Sequence, residues 1–276
     1  GQYTGRLALN PGTACGDSAD LLVRIFPTLE AGFSFAYDTC VAGPVVFTDE
    51  SLSDAGEIES WAWSFGDGNS SGLPNPAHLY LEPGDKNIQL RVTDINGCED
   101  VLIQTITYLP APALIVIAPS AFRGCAPADL FFDNLSTPVD ETYEVNWDFG
   151  DGGTAGGVDA SHVFEDVGVY DISLEIVSPI GCRTDTVFRD LIEILPRPAA
   201  DFSVEPELLD NFNPTAVFTN RSRDADFYEW NFNGEFSTAL PDPVYTFPDT
   251  GQQVVRLLAV NREGCRDSLI RWLDVA

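Results

Sequence analysis

Apolar and polar residues alternate along Lys86-Asn87-Ile88-Gln89-Leu90-Arg91-Val92, Tyr170-Asp171-Ile172-Ser173-Leu174-Glu175-Ile176 and Gln253-Val254-Val255-Arg256-Leu257-Leu258. A period of two puts successive side chains on opposite faces of an extended chain, so each stretch reads as a half-buried strand. Shorter runs bounded by Gly, Pro, Asn and Asp recur every eight to twelve residues, and no long 3.6-period amphipathic stretch competes with them. The pattern predicts an all-β chain of sandwich type.

The three alternating stretches occupy one position of a longer repeat. Trp63-Ser64-Phe65-Gly66-Asp67-Gly68 and Trp147-Asp148-Phe149-Gly150-Asp151-Gly152 line up with a shortened Trp230-Asn231-Phe232-Asn233-Gly234. From each Trp it is 21 residues to Gly84, Gly168 or Gly251, and 14 more to Cys98, Cys182 or Cys265, which defines a unit of about 84 residues. A unit this long exceeds solenoid periods and is expected to bury its own core. The Trp-x-Phe pair points both rings to one face of a strand, and the Asp-Gly or Asn-Gly that follows supplies a tight turn.

Proline-rich joints at Pro27, at Leu109-Pro110-Ala111-Pro112 and at Leu195-Pro196-Arg197-Pro198 mark the boundaries. They predict domains at residues 29–110, 111–197 and 198–276, joined by stiff linkers into an extended array on the order of 100 Å long, at roughly 3.3 Å per strand residue. Residues 1–28 hold no full repeat. Cys15-Gly16-Asp17, then Leu21-Leu22-Val23 and Pro27, parallels Cys98-Glu99-Asp100, then Val101-Leu102-Ile103 and Pro110. The segment is therefore expected to be the trailing strand of a preceding domain; the rival reading is a strand donated to another subunit of a filament. With Gly1 first and no methionine, the chain is expected to be a mature or excised piece.

Composition narrows the partners. The net charge is -29, and Lys86 is the single lysine. Such a chain repels phosphate backbones and anionic membranes, so neither nucleic acid nor lipid is expected to bind it; divalent cations, or simply high solubility, are the natural readings. No run of 18 apolar residues is present to span a bilayer.

The six cysteines fall on the repeat lattice. Cys40 and Cys98 are separated by 58 residues and Cys125 and Cys182 by 57, which reads as one disulfide within each of the first two domains. Cys265 and Cys15 are then left without partners in this window, since Asn211 stands where the third repeat's first cysteine belongs. Paired cysteines place the chain in an oxidising, extracellular or cell-surface setting; the alternative is buried free thiols.

With the Trp-x-Phe-Gly-Asp-Gly motif, His78-Leu79-Tyr80, His162-Val163-Phe164 and the Gly-to-Cys strand, residues 29–276 resemble PKD (polycystic kidney disease) domains. The stretch Val92-Thr93-Asp94-Ile95-Asn96-Gly97-Cys98-Glu99-Asp100 is similar to cysteine-bearing PKD repeats of very large surface proteins of Bacteroidota, including gliding-motility adhesins. The resemblance implies tandem Ig-like sandwiches without catalysis, serving as a stalk, adhesin or filament component. Their partners would be neighbouring domains, other filament subunits, or glycans and cell-surface polymers. The alternative is a polysaccharide- or calcium-binding accessory module of a larger extracellular enzyme. The third repeat departs from the pattern in losing a motif glycine, its first cysteine and the histidine, where Tyr245 stands.

Three further patterns invite chemistry. Asp-Ser/Thr-apolar triplets at Asp17-Ser18-Ala19, Asp185-Thr186-Val187 and Asp267-Ser268-Leu269 resemble the bacterial O-glycosylation signal, making Ser18, Thr186 and Ser268 candidate acceptors; a turn-and-strand constraint shared by all copies explains them equally. Acidic loops before each Trp offer calcium candidates Asp49, Asp54, Asp133 and Asp140, with Glu50, Glu57, Glu141, Asp224 and Asp226 nearby, although a solvated loop is the plainer reading and EF-hand spacing is absent. Gly68-Asn69-Ser70-Ser71-Gly72 fits a nucleophile elbow in letters only, because no helix pattern follows it.

Overall fold

A computed structural model describes residues 1–276 apart from 10, 13 and 55. Strands dominate it and the described residues include no α-helix, so the all-β architecture read from the alternation and the tandem Ig-like sandwiches implied by the resemblance are what the chain adopts. Chain contacts gather into two compact units. One consists of Gly1–Val116, Leu135–Val145 and Glu175–Asp185, the other of Ile117–Asn134, Asn146–Leu174 and Thr186–Ala276, so the middle repeat contributes to both.

In the first unit, Glu99–Tyr108, Gly84–Asp94, Ile58–Ser64 and Ser70–Ser71 form one sheet in that order, and Phe33–Ala36, Val45–Asp49 and Ala77–His78 form another. Strand periodicity sorts their side chains. Ile88, Leu90 and Val92 are buried on one face of Gly84–Asp94, and Trp63 and Phe65 follow the same rule, joining Phe33, Val45, Phe47, Tyr80, Ile106 and Tyr108 in one core. Trp63 meets Phe33 edge-on at 5.1 Å, while its indole N–H donates to the Leu73 carbonyl at 2.9 Å, so the apolar ring is buried without orphaning its polar atom. Trp61 is only half-buried against that core, and its indole N–H donates to Asp49 at 2.7 Å.

Residues 1–28 hold two strands rather than the single trailing strand expected from sequence. Gln2–Leu9 pairs antiparallel with Asp17–Arg24, and the spacing of 14 from Gly1 to Cys15 matches that from Gly84 to Cys98. The segment thus corresponds to the last hairpin of a repeat. Directly opposed residues share a face, so Tyr3, Leu7, Leu21 and Val23 lie on one side of the ribbon and Gln2, Thr4, Arg6, Asp20 and Arg24 on the other. Leu7 and Leu21 nevertheless remain 68% and 66% exposed.

The second unit repeats the plan. Phe236–Thr238, Phe227–Phe232, Gly251–Val260 and Arg266–Val275 make one sheet, and Phe202–Glu205, Thr215–Asn220 and Val244–Thr246 the other, closing on Phe202, Phe218, Trp230, Phe232, Phe247, Val255 and Leu257. Of the middle repeat, Ala128–Asn134 pairs with Ala160–Phe164, and Phe132 packs on Trp147 and Phe149 at 5.8 and 5.3 Å. Trp147 donates to the Gly157 carbonyl, as Trp63 does to Leu73, but among the described residues the buried Trp230 Nε1 has no partner.

Burial separates the two tryptophans of Ile58–Ser64. Trp63→Ala is expected to destabilise the first repeat by about 3–5 kcal/mol, the usual cost of deleting a buried aromatic ring. Trp61→Ala should cost distinctly less, and urea unfolding followed by far-ultraviolet circular dichroism would reverse this ordering if the indole at position 61 were the core anchor.

Candidate functional site

The cysteines do not pair within repeats. Cys40 is bonded to Cys182 and Cys125 to Cys265, with Cα atoms 5.1 and 5.7 Å apart, while Cys98 and Cys15 are free thiols. The expected Cys40–Cys98 and Cys125–Cys182 bonds are thus replaced by bonds between successive repeats, and Cys265 is not left without a partner. The reason is strand length.

Each opening cysteine lies beside the far end of its own repeat's final strand. Cys40 accepts a hydrogen bond from Ala111 N–H at 3.0 Å, just past Glu99–Tyr108, and Ala42 N–H donates to the Ala111 carbonyl at 2.8 Å. Cys125 pairs in parallel register with Leu195, the last residue of Arg183–Leu195. Cys98 and Cys182 immediately precede the near ends of those strands. Strands of 10 and 13 residues hold the two cysteines of a repeat roughly 30–45 Å apart at about 3.3–3.4 Å per residue, against the limit of about 7 Å between Cα atoms of a disulfide.

Both kinds of cysteine are positioned by side chains that the sequence reading did not single out. Asp38 accepts from the N–H groups of Cys40 and Val41 at 2.8 and 3.1 Å, and these two bonds hold its carboxyl below the usual carboxylate range. At the turn before each final strand, the residue four places before the cysteine accepts that cysteine's N–H: Asp94 for Cys98 at 2.9 Å, Ser178 for Cys182 at 3.2 Å, Asn261 for Cys265 at 2.9 Å. The same three residues donate their own N–H groups to the cysteine carbonyls at 3.0, 2.8 and 3.0 Å. Gly97, Gly181 and Gly264 complete these turns with φ of 78°, 89° and 89°, which only glycine adopts freely. A short side-chain acceptor four residues before a Gly-Cys pair was the available signal.

The Gly-Asp-Gly turn carries a second recurring arrangement. His78 Nε2 lies 2.6 Å from Asp67 Oδ2, and the imidazole stacks on Phe65 with centroids 4.3 Å apart and planes 5° off parallel. In the middle repeat, His162 lies 2.7 Å from Asp151 and stacks on Phe149 at 4.2 Å and 2°. These histidines are core-edge residues tied by one ring nitrogen. Gly66 and Gly150 are required at the turn because a Cβ there would meet the backbone oxygens of Asn87 and Asp171 at 2.8 and 2.5 Å. In the third repeat Tyr245 takes the histidine's place and stacks on Phe232 at 4.2 Å, while Asn233, with φ of 54°, accepts Val254 N–H at 2.8 Å. Burial pushes the Asp67 and Asp151 carboxyls up. The bonds from the histidines and from Asn69 and Gly153 N–H outweigh that penalty, so both groups titrate below their ordinary range.

The remaining candidates are dispersed. Asp49 serves Trp61 and Ser51, Asp54 accepts from Thr28, Asp140 accepts Thr142 N–H at 2.9 Å, and Asp133 lies in Ala128–Asn134. Among the described residues no three His, Cys, Asp or Glu side chains converge in a metal-holding group. Ser18 and Ser268 are exposed strand residues and Thr186 is half-buried; the triplet's Asp267 accepts Ala200 N–H at 2.8 Å, a structural use of that acid. Ser70 lies in Ser70–Ser71, paired with Ser64, where an elbow would need a helix. Trp272 is 64% exposed on the final strand.

A family model described as PKD domain matches residues 27–108 and 118–191. Pre-pro-metalloprotease PrtV of Vibrio cholerae serotype O1 is 27% identical over 157 residues, taking in 55% of this chain and 17% of that protein. Collagenase ColA of Bacillus cereus is 40% identical over 52 residues, 19% of this chain and 5% of that protein. The chain therefore spans about a sixth or less of the length of these curated relatives. The solved PKD1 domain of the V. cholerae metalloprotease PrtV is 31% identical and covers 30% of this chain and 96% of that domain, with a TM-score of 0.27.

The lowered carboxyls set a pH window. A folded-state pKa below the unfolded value of about 3.9 gives stability that is present in full above about pH 4 and is lost as pH falls through the folded value. The double variant Asp67→Asn, Asp151→Asn is expected to flatten this acid-side loss when urea midpoints are compared between about pH 5 and 2, and an unchanged slope would show that these turns do not carry it.

Proposed function

This chain belongs to the PKD domain family, and from that premise we propose that it is a non-catalytic structural segment of a secreted or cell-surface protein, a stalk, adhesin or filament component whose repeats are laced by disulfides. The observation that carries the reading is the pairing of Cys40 with Cys182 and of Cys125 with Cys265. A disulfide inside a repeat would take only that repeat's residues out of the extensible path, whereas a bond from one repeat to the next spans both and shortens the path further. Disulfides also favour an oxidising, extracellular setting. The net charge of -29 disfavours nucleic acid and anionic lipid as partners, leaving neighbouring repeats, other subunits and glycans or cell-surface polymers.

A second reading, an accessory module of a larger extracellular enzyme that holds polysaccharide or calcium, is favoured by relatives named as a metalloprotease and a collagenase. A pocket of about 470 Å³ bordered by Asp67, Asn69, Tyr80, Glu82 and Lys86 is where a ligand of such a module would sit.

The lacing makes a quantitative test. The shortest covalent path runs through the 39 residues before Cys40, the 57 separating Cys125 from Cys182 and the 11 after Cys265, about 110 residues of the 276. Single-molecule pulling from the termini is expected to stop at about 350–390 Å in the oxidised chain and at about 900–1000 Å after reduction, taking 3.3–3.6 Å per residue. Bonds within repeats would leave about 160 residues extensible, or roughly 530–580 Å, and that length would sink the reading.

A further inference from the structure

We propose that Cys98 is a covalent docking point: its thiol forms a disulfide with the opening cysteine of a further PKD-type repeat seated ahead of Leu29. The proposal rests on the laced-array reading and names the partner at one further junction.

Three observations carry it. First, the Cys98 turn matches those of Cys182 and Cys265 bond for bond, with the side chain four residues earlier accepting the cysteine N–H and the intervening glycine N–H donating to that residue's carbonyl at 2.9, 2.8 and 3.1 Å. Both of those equivalents are disulfide-bonded to the opening cysteine of the repeat before them, and Cys98 is free. Second, the chain enters the first and third repeats in the same way. Ala31 N–H donates to Asp100, two residues past Cys98, and Ala200 N–H donates to Asp267, two residues past Cys265, each at 2.8 Å. The turn that carries the free thiol and the chain entry beside it therefore reproduce those of a bonded one. Third, the place for the incoming cysteine is set by register. Opening segments bridge in parallel to the residue 13 past their own repeat's turn cysteine, as in Val41 with Ala111 and Cys125 with Leu195. The residue 13 past Cys15 is Thr28, next to Leu29–Glu30.

Neither this chain nor a second copy of it supplies a free opening cysteine. Cys15 lies at the far end of Asp17–Arg24, a strand of 8 residues and so about 27 Å from the chain's entrance to the first repeat. A second copy of this chain offers no free opening cysteine, because Cys40 and Cys125 are engaged and Asn211 stands in the third repeat. The occupant is thus another PKD-type repeat carrying a cysteine seven residues before its core Phe, as Cys40 precedes Phe47 and Cys125 precedes Phe132. Forming the bond releases two thiol protons and passes two electrons to a disulfide oxidant by thiol–disulfide exchange.

The test replaces residues 1–28 with a second copy of residues 112–195, joined to Leu29, and oxidises the extended chain with glutathione disulfide. Non-reducing peptide mapping is expected to find Cys98 linked to the graft's copy of Cys125, with the graft's copy of Cys182 open to alkylation. The link should vanish in Cys98→Ser. A second extended chain, with residues 112–167 placed directly before Gly1, completes the native hairpin and guards against a badly fitting graft. Protease-resistant grafts that leave Cys98 alkylatable would overturn the proposal, and so would grafts that stay protease-sensitive in both chains, since a PKD-type repeat must seat there. Loss of the Cys40–Cys182 linkage in the same map would instead count against the laced-array reading.

Discussion

The final strand of each repeat is a rigid spacer, and the covalent organisation of the molecule follows from its length. Glu99–Tyr108 and Arg183–Leu195 keep the opening cysteine at one end and the turn cysteine at the other. Once hydrogen-bonded into a sheet, such a strand cannot shorten, so cysteines only 57 or 58 residues apart in sequence cannot meet. A cysteine of the adjacent repeat can. The resulting loops, with sequence separations of 142 and 140, overlap between Cys125 and Cys182. Each closure alone is worth about 5 kcal/mol on the chain-entropy description, but the shared residues prevent the two from adding in full.

The motif serves this scaffold through packing. Its Trp and Phe fill the core, its first glycine lets the turn approach the neighbouring strand, and its aspartate fastens a histidine that lies flat on the motif Phe. The third repeat shows which parts travel together. It lacks both the aspartate and the histidine, and a tyrosine restores the flat ring contact on Phe232 without needing a carboxylate. Asn233 replaces the glycine because Asn tolerates a left-handed backbone, and its side chain ties back to Val254. The substitution is coherent as packing, although the indole N–H of Trp230 is buried without the carbonyl that Trp63 and Trp147 find.

Strand pattern and repeat spacing made the fold legible, because both depend on local periodicity. Disulfide partners depend on which ends of which strands adjoin, and an 84-residue lattice is compatible with bonds inside a repeat or between repeats. The discriminating signal lay in the irregular copy. Pairing inside repeats would strand Cys265 once its partner became Asn211, whereas pairing between repeats uses Cys265 and requires no opening cysteine in the last of the three. The acidic loops are used locally: Asp49, Asp54 and Asp140 are close in sequence to other acids and accept individually from an indole, a threonine hydroxyl and a turn amide. Acidity alone does not gather ligands around a cation.

The lacing also has a direction. Each bond runs from the opening loop of one repeat, held beside the end of its final strand, to the turn of the next, held by a side-chain acceptor four residues before the cysteine. The two positions are not interchangeable, since one is an edge segment in parallel register and the other a glycine-dependent turn. A repeat that keeps both cysteines can be tied on both sides; one that keeps only the turn cysteine accepts a bond and passes none on. The middle repeat is of the first kind and the third of the second. This asymmetry gives the lacing a polarity: a bond leaves a repeat from its opening segment and enters the next at its turn.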